Sequence, residues 1–309
     1  MGPTSRWTGA DIPDLSGRTA IVTGANSGIG LITAEELAAH GAHVTLAVRD
    51  ADRGRTAAAG ITARHPHAQV EIGTCDLADL SSVRAFAEGW RRDHEGGLDL
   101  LINNAGVMAI PRRDSADGFE MQFATNHLGH FALTGHLFRA LTENARVVTV
   151  SSQAHRMGRI TFDDLMGQRR YSPWRAYAQS KLANLLFAGE FQRRLATTDS
   201  SVMSLAAHPG YAATNLQSVG PEMSGSRIQG TLTSVANRVF AQSAQMGALP
   251  TLFAATAPGL AGGDYIGPGG LAEQRGYPKV VGMTAAAKDP VTAERLWQVS
   301  EELTEVRFP

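Results

Sequence analysis

Short apolar, β-branched runs recur along the chain at residues 20–22, 43–48, 69–72, 98–102, 146–150 and 202–206. Between them lie stretches with helical spacing of apolar positions, among them 32–40, 81–90 and 119–141. Steady strand–helix alternation predicts an α/β fold with one parallel sheet of about seven strands, doubly wound so that helices cover both faces. Crossovers in such a sheet are right-handed, and ligands bind beyond the carboxyl ends of the strands. Residues 1–17 read as a lead-in arm, with Trp7, Ile12 and Leu15 available to pin it. Nothing divides 18–309, which are read as a single domain. Gly and Pro crowd residues 257–278, where 263–267 fit one short last strand.

Composition excludes several classes. Among 309 residues, 28 basic side chains face 29 acidic ones, a formal charge of -1. Nucleic-acid binding normally leaves a strongly basic footprint, so no such partner is expected. A single cysteine excludes an internal disulfide framework and a Cys-only zinc site, and fits a reducing compartment. The first six residues show no secretory pattern, and Arg6 breaks the myristoylation pattern. The most apolar stretch, 248–260, is interrupted by Pro250 and Pro258, so no membrane span and a cytoplasmic location are expected.

The 33 glycines matter where they cluster. Thr23-Gly24-Ala25-Asn26-Ser27-Gly28-Ile29-Gly30 joins the first strand to the first helix. In that context glycines allow a tight turn, close approach of a pyrophosphate, and helix N–H groups aimed at it. Tyr177 and Lys181, four apart on a helix, share a face. A phenol titrates near pH 10, and a neighbouring ammonium lowers that value towards useful acid/base chemistry. Only three lysines occur (Lys181, Lys279, Lys288), so a lysine at this spacing is informative.

The T-G-x-x-x-G-I-G spacing resembles the short-chain dehydrogenase/reductase family. The likeness continues through Asp76-Leu77, Asn103-Asn104-Ala105-Gly106, Asn126, Ser151-Ser152, Tyr177-Ala178-Gln179-Ser180-Lys181, and His208-Pro209-Gly210 with Thr214. It spans about residues 17–270 and implies a Rossmann-type dinucleotide fold. It also implies roles. Gly24, Asn26, Ser27, Gly28, Ile29 and Gly30 would hold the pyrophosphate, and Asp76 and Leu77 the adenine. Asn104, Ala105, Gly106, Pro209, Gly210 and Thr214 would complete the cofactor site. Ser152 would bind the substrate oxygen and Tyr177 exchange its proton. Lys181 would bind the nicotinamide ribose, and Asn126 would anchor a water relaying protons to Lys181. Ser151 reads as a strand-end packer.

Cofactor choice turns on the end of the second strand. Val48 aligns with the acid that selects NAD(H), and Arg49 follows it, with Arg53 and Arg55 behind. A guanidinium suits a 2′-phosphate, so NADP(H) is expected over NAD(H). A register moved by two makes Asp50 the ribose acceptor instead.

The sequences around Asn126, Ser152 and Tyr177 resemble the retinol-dehydrogenase-like branch, which is also similar to light-dependent protochlorophyllide reductase. That likeness implies a bulky apolar ketone or aldehyde and its alcohol, retinoid-, steroid- or polyketide-like. Residues 211–245, with Met223, Ile228, Leu232, Val235, Val239 and Phe240, read as the substrate lid. Carbon–carbon double-bond reduction with the same tyrosine, and NADP sensing without turnover, are the alternatives. His127, His130 and His136 read as structural, and no metal is expected. Asp163-Asp164 reads as a solvated turn and Cys75 as a small buried filler. The Tyr177 helix has two apolar stripes, Leu182, Leu185 and Leu186 in one and Ala183, Phe187 and Phe191 in the other, of which one packs on the sheet. The other covers neighbouring loops or meets a partner helix in a homodimer or homotetramer.

Overall fold

Each apolar run becomes a strand: β1 Thr19–Thr23, β2 His43–Val48, β3 Gln69–Thr74, β4 Leu98–Asn103, β5 Leu141–Val150 and β6 Met203–Ala207. β7 Tyr265–Pro268 and β8 Pro278–Val280 complete one eight-stranded sheet in the order β3-β2-β1-β4-β5-β6-β7-β8. The computed structural model describes residues 6–210 and 243–309. Seven strands run parallel and β8 pairs antiparallel with β7. The eighth strand exceeds the expected seven because three residues opening on Pro278, inside a Gly/Pro-rich segment, carry no apolar run.

Helices α1 Gly28–Ala39, α2 Ala51–Arg64, α3 Leu80–Asp93, α4 Gly129–Leu137, α5 Pro173–Leu195, α6 Ala244–Thr256 and α7 Pro290–Thr304 cover the sheet. Successive strand residues face opposite ways. Val22, Ile102 and Val148 join one core with Leu37 and Leu252, whereas Ile21, Leu101 and Val147 join another with Phe86, Phe131 and Trp297. Burial on both faces explains why these strands read as nearly continuous apolar runs rather than alternating ones. Trp7, Ile12 and Leu15 of the arm are buried, and the Trp7 ring meets Phe253 edge-on at 5.2 Å.

One expectation is corrected, and of two open alternatives one is met. The stretch 119–141 is not one helix but a single turn Met121–Phe123, a π-helical segment Ala124–Leu128, α4, and a 3-10 turn Phe138–Ala140. Apolar periodicity does not distinguish these, since all present nearly the same face; π segments often mark functional positions, and this one carries Asn126. The second stripe of α5 is covered by this chain itself: Phe187 and Phe191 stack on Trp297 at 5.8 and 6.1 Å, and Phe191 meets Phe308 at 5.4 Å. Among the described residues no helix is long and apolar enough to cross a membrane.

Candidate active site

Strand order reverses between β1 and β4, which opens a crevice beyond their carboxyl ends. The glycine loop lies there. Gly24 and Gly28 take φ of +66° and +58°, which other residues adopt only with strain. A Cβ on Gly30 would stand 2.6 Å from the Gly24 oxygen and 2.4 Å from Asn104 Nδ2. Asn104 Nδ2 donates to the Thr23 carbonyl at 2.8 Å, while Thr23 Oγ1 accepts from the N–H groups of Asn104 and Ala105, each at 2.9 Å. The T-G and N-N-A-G motifs are therefore one hydrogen-bonded unit. Asn103 turns away into the core, donating to Thr134 Oγ1.

Ser27, the N-cap of α1, makes no side-chain capping bond, and the first turn contains no acidic residue. The first N–H groups of a helix have no intrahelical partner and carry its positive dipole end. Here they are available to an anion, and the loop fits the pyrophosphate of a dinucleotide. Asn26 and Ser27 are half-buried beside it, and Ile29 is buried beneath.

At the end of β2, Val48 is buried and Arg49 exposed. Asp50 is spent on capping: its Oδ1 accepts from the N–H groups of Asp52 and Arg53 at 3.0 and 3.1 Å. That places Asp50 at the start of α2 and leaves Arg49 as the charge following the strand. Arg55 pairs with Asp52. Asp76 accepts from the Ala78 N–H at 3.0 Å through Oδ1, and Leu77 is buried under Gly129. Burial, with Asp76 adding to it, pushes the Cys75 thiol up to about 12, so this cysteine is inert filler.

Ser172 and Pro173 start α5, Pro at a first-turn position where its missing N–H costs nothing. The helix brings Tyr177 and Lys181, both buried, to the end of β5, where half-buried Ser152 follows the strand. Lys181 Nζ donates to the Val150 carbonyl at 3.0 Å and lies 5.9 Å from the Tyr177 ring centre. Gly106 has no side chain to separate these groups; a Cβ there would stand 3.0 Å from Asn126 Oδ1 and 3.5 Å from Lys181 Nζ. Ser151 Oγ donates to the Lys181 carbonyl, confirming it as a packing residue. Asn126 is buried with its side chain fully used: Oδ1 accepts from the Val107 N–H, and Nδ2 donates to the Val107 carbonyl and Ser180 Oγ.

The electrostatics correct one expectation. The spacing in sequence predicts that Lys181 draws the phenol of Tyr177 down. Instead burial pushes Tyr177 up, only partly opposed by a hydrogen bond with Ser152, and the same burial lowers Lys181 to about 8. In a dry site each group resists charging alone, so phenolate and ammonium favour each other most when both form.

Several supporting residues escape a reading by motif. His130, expected only to pack, bridges two motifs: Nδ1 lies 3.0 Å from the Asn126 carbonyl and Nε2 lies 2.9 Å from Thr23 Oγ1. Its spacing from Asn126, one helical turn, was the available signal. His127 meets Ser300 of α7 at 2.9 Å. Glu273, beside the left-handed Ala272, pairs with His208 and Arg156, each at 3.2 Å, and closes the Gly/Pro-rich loop over the end of β6. Gly210 is itself left-handed at φ +65°, with the Gln274 carbonyl against it. Pro209 is half-buried between them. Asp163 and Asp164 do form a turn, Asp164 accepting from three backbone N–H groups. Thr214 and the expected lid up to residue 242 lie outside the described residues.

Comparison with known proteins agrees with this geometry. The profile of the short chain dehydrogenases matches residues 18–224. Human retinol dehydrogenase 12 is 41% identical over 301 residues, covering 95% of this chain and 88% of that protein. A crystal structure of an uncharacterized protein from Mycobacterium paratuberculosis is 47% identical with a TM-score of 0.82, covering 99% of this chain and all of that one. A structure from Beutenbergia cavernae, described as an NAD(P)-dependent gluconate 5-dehydrogenase with NADP bound at low occupancy, is 26% identical. Its TM-score is 0.62, over 82% of this chain and 95% of that one.

Proposed function

Because this chain belongs to the short-chain dehydrogenase family, within its retinol-dehydrogenase-like branch, we propose that it interconverts a bulky apolar ketone or aldehyde and the corresponding alcohol with NADP(H). The carrying observation is the convergence of Ser152, Tyr177 and Lys181 beside the phosphate-ready glycine loop, at the switch point of the sheet. A bound nicotinamide would supply or accept the hydride. In reduction Tyr177 gives its phenolic proton to the carbonyl oxygen, so hydride and proton together complete the alcohol. Ser152 holds that oxygen against the phenol. Lys181 stabilises the phenolate left behind and binds the nicotinamide ribose. Asn126 fixes the backbone at Val107 and the start of the Tyr177 turn through Ser180.

Arg49 supports NADP(H) over NAD(H), since Asp50 is occupied as a helix cap and no acid stands at the end of β2. The Beutenbergia structure with NADP is consistent with that reading. An apolar substrate is supported by Trp174, whose half-exposed ring lies 6.2 Å from that of Tyr177, and by exposed Met157 after Ser152. The retinol dehydrogenases among the relatives point to substrates of the same kind. The test is a panel of hydrophobic ketones, aldehydes, alcohols and enones, followed at the NADPH absorbance. Turnover of large apolar carbonyls is expected. Turnover confined to enones, or tight NADPH binding with none of the panel turned over, would overturn the proposal.

A further inference from the structure

We propose that His43, Glu71 and His94 form a binding site for one divalent transition-metal ion of the zinc type, at the amino-terminal edge of the sheet. Three separate elements converge there. His43 opens β2. Glu71 sits in the edge strand β3, in register with Thr45, and so on the face that His43 and Thr45 share. α3 packs on that face, and its C-cap residue is His94.

The ligand atoms of the three side chains all lie within 4.8 Å of one another. Glu71 Oε1 is 3.1 Å from His94 Nε2, and Oε2 is 3.7 Å from His43 Nε2. A tetrahedral zinc with bonds of about 2.0–2.2 Å separates its ligand atoms by roughly 3.3–3.5 Å. The observed spacing approaches that arrangement without backbone movement, and half-exposure of the cluster leaves a fourth position to water.

Hydrogen bonding explains why a cation belongs there. His94 Nδ1 lies 2.9 Å from the Trp90 carbonyl, which can only accept, so Nδ1 carries the ring hydrogen. In the neutral ring Nε2 is then a lone pair, and it faces a carboxylate oxygen at 3.1 Å. Two acceptors at that distance repel unless they share a cation, either a proton or a metal. Backbone-bonded imidazole and a hydrogen-bonded carboxylate are also what metal sites use around their ligands. Thr45 Oγ1 donates to Glu71 Oε1 at 2.6 Å and accepts from Trp90 Nε1 at 2.9 Å. The Trp90 ring stacks on His94 at 4.3 Å, 3° from parallel. Two of the three ligands are thus held in place by one tryptophan.

Two imidazoles and one carboxylate suit zinc, cobalt or nickel and disfavour magnesium and calcium, which require mostly oxygen. The site is a strand length, about 20 Å, from the cofactor end of β2. Bound metal would tie edge strand β3 to β2 and α3 without touching the hydride chemistry. The cluster is distinct from His127, His130 and His136, which pack inside or beside α4.

The experiment uses metal-stripped, untagged protein at pH 8, where ordinary histidines are neutral. Zinc is titrated calorimetrically and by competition with a chromogenic chelator, with magnesium as control. One equivalent should bind and raise the thermal midpoint. Glu71→Gln, which keeps an acceptor for Thr45, and His94→Gln should each weaken zinc binding at least ten-fold while oxidoreductase turnover stays unchanged. Should either variant lose its native circular dichroism, His43→Gln, at a half-exposed position, carries the test. No saturable zinc binding by the wild type, or equal affinity in the variants, would overturn the proposal, leaving a shared proton as the cation.

Discussion

Acidification from pH 7.5 to 5.5 should cost this protein about 3 kcal/mol of stability through His127 and His130 alone. Both rings are buried, His127 among Phe123, Phe131 and Phe187, and His130 between Thr23 and the Asn126 carbonyl. Ser300 gives its hydroxyl hydrogen to the Leu296 carbonyl, so it accepts from His127 Nε2, and the Asn126 carbonyl accepts from His130 Nδ1. Each ring is therefore satisfied as a neutral tautomer. Burial lowers His127 to about 3 and His130 to about 4, against about 6.5 when unfolded. As pH falls below 6.5 the unfolded chain takes up protons that the fold refuses. The stabilisation is complete above 6.5 and is lost on acidification until the folded values are passed. One unit below the unfolded value, each histidine costs about 1.4 kcal/mol. His208, lowered to about 4, acts in the same direction. Urea midpoints at the two pH values measure the sum. His127→Gln keeps an amide for Ser300 but does not titrate, so its pH difference should shrink by about 1.4 kcal/mol. A midpoint independent of pH, or an undiminished difference in His127→Gln, would refute the reasoning.

Two further outcomes concern the site. Arg49→Ala removes one charge-assisted bond to a 2′-phosphate, worth about 1.5–3 kcal/mol, and should weaken NADPH by roughly ten- to a hundred-fold while leaving NADH nearly unchanged. Fluorescence titration of both cofactors checks this; equal weakening removes Arg49 from that role. Reduction needs Tyr177 protonated and Lys181 charged, so kcat/KM for a carbonyl should be flat near pH 7 and fall as pH rises through about 8. A reductive rate that climbs through that range contradicts the assigned proton donor.

The sheet and the site were legible to different depths. Strands β1, β2, β4 and β6, and the second half of β5, announce themselves because a parallel strand buried on both faces leaves an unbroken apolar run; edge strand β3, with no fully buried residue, shows only through Val70 and Ile72 between polar neighbours. The glycine loop and the Tyr177–Lys181 pair are legible because local geometry fixes their spacing: a strand-to-helix turn in one case, one helical turn in the other. What joins them is not local. Thr23 with Asn104 and Ala105, or His130 with Thr23, are contacts across 81, 82 and 107 positions that no short pattern encodes. The direction of the Tyr177 shift is not legible for the same reason, because burial is a property of packing and outweighs one neighbouring charge. β8 escaped because three residues hold no period. The covering of the Phe187 and Phe191 stripe by Trp297 and Phe308 likewise depends on how the C-terminal segment returns to α5.

The central claim is that Tyr177 passes the proton while the glycine loop and Lys181 hold the cofactor. Tyr177→Phe removes one oxygen and preserves the ring that packs near Trp174. NADPH affinity, followed by fluorescence, should change less than about three-fold, while turnover of the best carbonyl should fall by about 10²–10⁴-fold, the usual worth of a positioned acid. Turnover retained in that variant would contradict the account.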